Sequence, residues 1–398
     1  MKNRGFRYRL MFLSVALFCA TLGSANVALA SDSDDIAELK AQLAELTERV
    51  DQAEKKAERK EKLDYYLPQI FGAIMAYSST STYNGDTRFN VRYSRFGMRG
   101  KVSDNVSYVS QVDFHAQGNL TVLDAYIKFA KSGFDLIMGQ QLVHFNSNID
   151  RGPYSCLFMS RSLGATYLMN YPMYSDDGTY SSKFLGARDM GVTATYSFKI
   201  KEVPMLVGVG TFSGEGINNP TWVGFGKMNY FARLNVGGKQ GFYGAASYYW
   251  GDTPASQKVH IYNAELHYKK DRIFFETLYV QRRLWDNADG SYSCFQAITA
   301  QGYYDFMTEK SRWFKSISPT MRVDWADGIN YQDTHTLEVS PIMATRISSA
   351  VNFAMKGEKL RSRFAVGYEK VFTDVELTDF DTNYLLCDRI TVGFTVAF

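Results

Sequence analysis

Proline is scarce in this 398-residue chain, at 8, and cysteine is scarcer, at 4. Cys19 falls in an N-terminal leader, which leaves Cys156, Cys294 and Cys387. An odd number at such wide spacing makes neither a disulfide framework nor a zinc site. Beyond the extreme N-terminus there is no run of about 20 apolar residues, which excludes a helical membrane protein. The histidines, His115, His144, His260, His267 and His335, include no metal-type pair, and His260 and His267 have opposite strand parity. Gly208-Val209-Gly210-Thr211-Phe212-Ser213 lacks the third glycine and the following helix of a dinucleotide site. Nothing marks a nucleophile, so the sequence points to no enzyme, no metal and no cofactor.

Excess positive charge is missing too. The formal net charge of +3 includes Lys2, Arg4, Arg7 and Arg9, with no acidic residue before Asp32. From Leu10 to Gly23 the chain is mostly apolar but too short to span a bilayer, and Ala28-Leu29-Ala30 supplies a small-x-small cleavage site. Residues 1–30 therefore read as a secretory signal peptide. Its removal takes the mature chain to roughly −1, and no nucleic-acid partner follows from net charge. Phe18 before Cys19 is bulky where a lipidation site wants a small residue.

What the chain has in quantity is aromatic side chains: 28 Phe, 27 Tyr and 5 Trp, a strand-forming composition. The mature chain opens differently. Residues 31–62 contain no Gly, Pro or aromatic residue, and Ile36, Leu39, Leu43, Leu46, Val50, Ala53 and Ala57 recur at alternating spacings of three and four. That is a coiled-coil seam, a rod of roughly 33 Å, with dimer and trimer both open. An amphipathic helix lying on its own domain is the competing reading, but a stripe of two positions per heptad is narrow for it.

After Leu63 the heptads give way to strict alternation. Ile390, Val392, Phe394, Val396 and Phe398 are apolar, with Arg389, Thr391, Gly393, Thr395 and Ala397 between them. The dyad recurs at Met190–Phe198, Met228–Val236 and Tyr262–Tyr268. These runs, of about 10–12 residues in the longer cases, suit lipid on one face and water on the other. Hydrocarbon offers no partner to backbone groups, so such strands cross a membrane only in a closed sheet. The expected fold is all-β and transmembrane: an antiparallel outer-membrane β-barrel of sixteen strands, or eighteen, with a short N-terminal coiled-coil helix. Strand-like runs fall at 69–80, 87–101, 105–116, 121–131, 133–142, 188–199, 203–213, 226–237, 241–251, 259–270, 272–283, 293–307, 316–326, 335–357, 360–372 and 387–398. Pro341 and Arg346 leave open a hairpin within 335–357. Residues 63–398 allow roughly 21 residues per strand and connection, and a barrel of that size holds an aqueous channel. Terminal Phe398, closing an alternating strand, fits the signal read by outer-membrane assembly machinery. The segment 143–187 shows no clear alternation and is too long for a plain turn, which marks it as a functional loop.

Asn90-Val91-Arg92-Tyr93-Ser94-Arg95-Phe96-Gly97-Met98-Arg99-Gly100, then Val122-Leu123-Asp124-Ala125-Tyr126-Ile127 and Ile137-Met138-Gly139-Gln140, resemble the N-terminal half of the phosphate-selective porin O and P family. Arg161-Ser162-Leu163, Ala187-Arg188-Asp189-Met190-Gly191-Val192 and Phe212-Ser213-Gly214-Glu215-Gly216 extend the similarity, which covers about 70–220. The resemblance implies a homotrimeric, sixteen-stranded channel in outer-membrane lipid, a third long loop folded into the lumen near 143–187, and a periplasmic coiled coil. It also implies small hydrophilic or anionic solutes, with phosphate preference resting on lumen lysines and arginines.

Residue by residue, parity puts Phe89, Val91 and Tyr93 toward lipid and Arg88 and Arg92 in the lumen. Past Ser94 the parity flips, which predicts a bulge there and turns Arg95 and Arg99 inward. On the fourth strand Asp124, Tyr126 and Lys128 face inward. The constriction loop adds Asp150, Arg151 and Arg161, and Arg188, Arg233, Arg322 and Arg389 are further wall candidates. These arginines have two readings. They form a ladder of charge-assisted bonds for a passing anion, or they pair with Asp113, Asp124, Asp189, Glu265 and Asp324 in a hydrated interior. No dense lysine cluster is present, so a general or mildly anion-preferring pore is the expectation. The alternative function is a structural protein that tethers the outer membrane through its coiled coil.

Overall fold

The computed structural model describes residues 41–52, 55, 65–116, 119–168, 170–174, 180–184, 187–217, 227–238, 240–253, 257–285, 290–332, 339–357, 360–375 and 386–398. The chain divides into two units, Met1–Tyr65 and Tyr66–Phe398. In the first, residues 41–52 are helical, and Leu43, Leu46 and Val50 of the expected seam are exposed. The other seam positions and residues 1–30 lie outside the described residues.

The second unit is a closed antiparallel barrel of sixteen strands. In chain order they are β1 (Gln69–Ser81), β2 (Thr87–Lys101), β3 (Val106–Ala116), β4 (Asn119–Lys131), β5 (Phe134–Leu142), β6 (Arg188–Ile200), β7 (Val203–Phe212) and β8 (Asn229–Gly237). Then come β9 (Gly241–Asp252), β10 (Lys258–Lys270), β11 (Ile273–Trp285), β12 (Tyr292–Tyr304), β13 (Phe314–Gln332), β14 (Val339–Met355), β15 (Arg361–Thr373) and β16 (Arg389–Ala397). Each strand pairs with the next, and β16 returns to β1 in register from Ala73 opposite Ala397 to Ser81 opposite Arg389. Gly72 and Phe398 extend that seam by exchanging backbone hydrogen bonds of 3.0 and 3.1 Å. Closure therefore leaves the barrel sheet with no open edge among the described residues. Among the described residues no helix is long and apolar enough to cross a membrane, and the strands carry the apolar outer band instead.

Parity at the C-terminus is as the alternation predicts: Ile390, Val392 and Phe394 are exposed on the outside, and Arg389, Thr391, Thr395 and Ala397 are buried inside. Residues 339–355 form one strand rather than a hairpin. Pro341 is tolerated opposite Asn330, beyond a register shift between Ala326 and Ile329 where Gly328 takes φ 76°.

The bulge on β2 is two residues earlier than expected. Met75 pairs with Tyr93 and Ala76 with Val91, so Arg92 is the extra residue. Tyr93 thereby turns inward and is only 5% exposed, where simple alternation puts it toward lipid. Phe89 and Val91 before the bulge, and Phe96 and Met98 after it, are exposed on the outer face.

The inner wall is not uniformly polar. Val259, Ile261, Leu278, Val280, Leu284 and Phe295 on β10–β12 join Phe145, Leu163 and Leu168 of the long loop in one buried apolar cluster. Along these stretches the inner face is apolar because the loop rather than water covers it, while the outward positions between include His260, Gln281 and Arg283.

Candidate functional site

Two short helices shape the loop that follows β5. Ser147–Asp150 begins at Asn146, whose side chain accepts from the Ile149 amide at 2.9 Å, and Leu163–Tyr167 begins at Ser162, which accepts from the Ala165 amide at 3.1 Å. Asn and Ser are the residue types that satisfy such orphan donors. The loop between and around these helices runs inside the barrel and offers its carbonyls to wall side chains. Phe145 O accepts from Ser247 at 2.6 Å and from Asn263 at 3.0 Å. Arg282 donates to Tyr167 O at 2.8 Å and Leu168 O at 3.1 Å, and Arg322 donates to Ser160 O at 3.1 Å. Arg233 donates to His144 O, Arg92 to Met159 O, Arg346 to Arg161 O and Arg363 to Cys156 O. Six wall arginines thus hold the loop by its backbone, and buried carbonyls that would otherwise lack partners are satisfied.

Two buried charge networks lie beneath the loop. On β8–β11, Glu265 takes Arg233 at 2.6 Å and the Ser147 amide at 2.8 Å, and Glu276 accepts both guanidinium nitrogens of Arg151, one at 2.7 Å. His267 lies 3.3 Å from Glu265 and 3.6 Å from Glu276. On β13–β16, Asp324 lies 2.9 Å from Arg322 and 2.8 Å from Arg346, while Glu369 lies 3.1 Å from Arg322 and pairs with Arg389. Three guanidiniums share two carboxylates in this second network, which leaves it positive.

The structure gives each candidate a definite place. Arg88 lines a cavity of about 370 Å³ at the long-loop end, with Tyr77, Asn90 and Arg389. Arg95 pairs with Asp113 at 2.9 Å, Arg188 forks onto Asp124 at 2.9 and 3.1 Å, and Lys128 pairs with Asp135 at 2.7 Å. Arg99 donates to Gln69 at 3.4 Å and lies 5.5 Å from the Phe71 ring. Asp150 sits 3.5 Å from Arg233 and 3.2 Å from His144. Arg92, Arg95 and Arg161 converge on Tyr93: the first two guanidiniums lie 5.4 and 4.2 Å from its ring, and the third donates to its hydroxyl at 3.2 Å. At the short-turn end a cavity of about 1060 Å³ is lined by Ser147, Asp150, Arg151, Arg233, His267 and Lys269 among others.

Glu276, Arg282, Arg346, Arg363 and Glu369 belong to this site and were not expected there. Strand parity was the available signal, since all five alternate inward with buried neighbours. Their partners come from a loop more than a hundred residues away, which parity does not show.

No protein-family model matches the chain, and no curated protein matches it. Solved structures do. OmpF of Salmonella typhi, in complex with daunomycin, is 14% identical with a TM-score of 0.56, over 84% of this chain and 98% of its own. The anion-selective porin from Comamonas acidovorans is 10% identical with a TM-score of 0.55, over 83% and 99%. OprB of Pseudomonas putida is 9% identical with a TM-score of 0.55, over 85% and 95%. The likeness at these identities is one of fold: the chain has the barrel architecture of bacterial outer-membrane porins.

Proposed function

We propose that the protein is an outer-membrane porin, a water-filled channel for passive diffusion of small hydrophilic solutes that leans toward anions. The observation that carries this reading is a long loop tied inside a closed sixteen-stranded barrel by wall arginines, which narrows the lumen without replacing its charged lining. Many of those charges pair locally, as with Arg95–Asp113 and Arg188–Asp124, which supports a general pore over a dedicated phosphate site. The lean toward anions comes from the guanidiniums around Tyr93 and the surplus arginine on β13–β16. The resemblance to the phosphate-selective porin O and P family supports the same direction and a homotrimer, with residues 1–30 removed on secretion and 31–62 forming a periplasmic coiled coil.

Exposed Leu43, Leu46 and Val50 favour a second role beside the first. A helix with an uncovered apolar seam wants a partner helix, so it also serves trimer assembly or a tether within the envelope.

Swelling of proteoliposomes in iso-osmotic sugars tests the channel reading. Swelling should be fast with a pentose and slow progressively as the solute grows to a trisaccharide. Liposomes carrying folded protein that swell no faster than empty ones would leave only the tether.

A further inference from the structure

The cysteines have three different surroundings. Cys294 alternates outward on β12, between inward-facing Ser293 and buried Phe295, and Cys387 is buried in the loop before β16. Cys156 is partly exposed on the loop inside the barrel, its sulfur 3.5 Å from Gly152 O. It packs against the small cluster of Met75, Tyr93, Met159 and Ala365.

What distinguishes Cys156 is a partly exposed sulfur among guanidiniums that have no carboxylate partner among the described residues. Arg363 donates to its carbonyl, Arg92 donates to Met159 O three residues on, and Arg161 ends the same loop segment. Among the described residues none of these three guanidiniums makes an ion pair with a carboxylate, unlike Arg95, Arg151, Arg188, Arg322 and Arg346. Arg363 is only 7% exposed, yet its Nε and Nη2 have no hydrogen-bond partner, and neither does the Oγ1 of Thr395 directly across the ladder. A buried guanidinium with two unused donors and no carboxylate leaves an uncompensated positive charge beside the thiol. The thiol therefore sits where a small anion is drawn and held.

We propose that Cys156 is a covalent modification site in the lumen that takes small anionic disulfides, drawn by the uncompensated charge of Arg92 and Arg363, and that the resulting adduct narrows the pore. The Cys156 thiol gives its proton to water, and its sulfur attacks one sulfur of the incoming disulfide. A new S–S bond forms as the old one breaks, and the second half leaves as a thiolate with the electron pair. Cys156 is oxidised and the departing half is reduced, so no further oxidant is required, and an external thiol reverses the reaction. The narrowing rests on the channel reading above; the adduct does not.

The test uses the full mature protein and two methanethiosulfonates, one carrying a sulfonate and one a trimethylammonium group, followed by intact mass, peptide mapping and bilayer current. The sulfonate reagent should add one adduct at Cys156 about tenfold faster than the cationic one, lower the single-channel conductance, and be removed by a thiol. Cys156→Ser should take no adduct in the lumen, and Arg363→Gln should keep the thiol but lose most of the preference for the anionic reagent. Equal rates for the two reagents, or adducts confined to Cys294 and Cys387, would overturn the proposal. A protein that takes the adduct but never conducts, modified or not, would defeat the channel reading and leave the site itself standing.

Discussion

One extra residue in β2 decides which side chains meet the long loop. Because Arg92 is bulged, both it and Tyr93 face inward, and the Tyr93 ring and hydroxyl gather Arg92, Arg95 and Arg161. Tyr93→Phe removes only the hydroxyl that Arg161 donates to. It should cost about 1.5–3 kcal/mol, of the order of one hydrogen bond to a charged group, and widen the fluctuations of the open-channel current. Glu276 is a harsher case. Its carboxylate is fully buried and holds both Arg151 of the loop and Gln301, so Glu276→Gln strands the loop's guanidinium against the wall. Breaking one partner of a buried pair costs about 3–5 kcal/mol; a urea refolding titration in detergent should show a loss of that order, against no change if the loop contact were incidental.

The strands themselves were legible in the sequence, the loop's anchoring was not. Alternation located β6, β8, β10 and β16 and gave the correct face for Ile390, Val392 and Phe394. It showed that β2 carries a bulge but put it after Ser94, and so failed at Tyr93; the pairing of β2 with Met75 and Ala76 puts the extra residue at Arg92. It was mute about Val259, Ile261, Leu278 and Val280, where the loop makes the inner face apolar. Arginines at inward positions could be named, but whether each meets a carboxylate or a loop carbonyl depends on how residues 143–168 cross the lumen. Gly393 marks one such crossing: a Cβ there would stand 2.7 Å from the Met159 sulfur and 2.7 Å from the Tyr77 Cβ. Gly393→Val should therefore push this part of the loop off the wall and change single-channel conductance, while the barrel's resistance to heat in detergent is kept. Replacing Arg92, Arg151 and Arg161 together by Ala should lower anion preference, read as a shift in reversal potential; an unchanged value would place the selectivity elsewhere on the wall.

The barrel unit is a ring closed by the pairing of β16 with β1, with a positively biased interior on the arc from β13 through β16 to β2. Phe398 exchanges backbone hydrogen bonds with Gly72, so its removal weakens the seam, and also the C-terminal strand proposed as the assembly signal. Loss of Phe398 should reduce outer-membrane yield more than it reduces the conductance of the protein that does insert. Deleting 31–62 should leave a folded barrel, since the described barrel begins at Tyr66 as a separate unit; complete misassembly would show that the helix drives oligomer formation. The most direct measurement is current through the purified mature protein in a planar bilayer under a salt gradient. Stepwise conductance with a reversal potential displaced toward the anion is the predicted result, and folded, inserted protein that passes no current, or one whose reversal lies toward the cation, contradicts the anion-leaning pore.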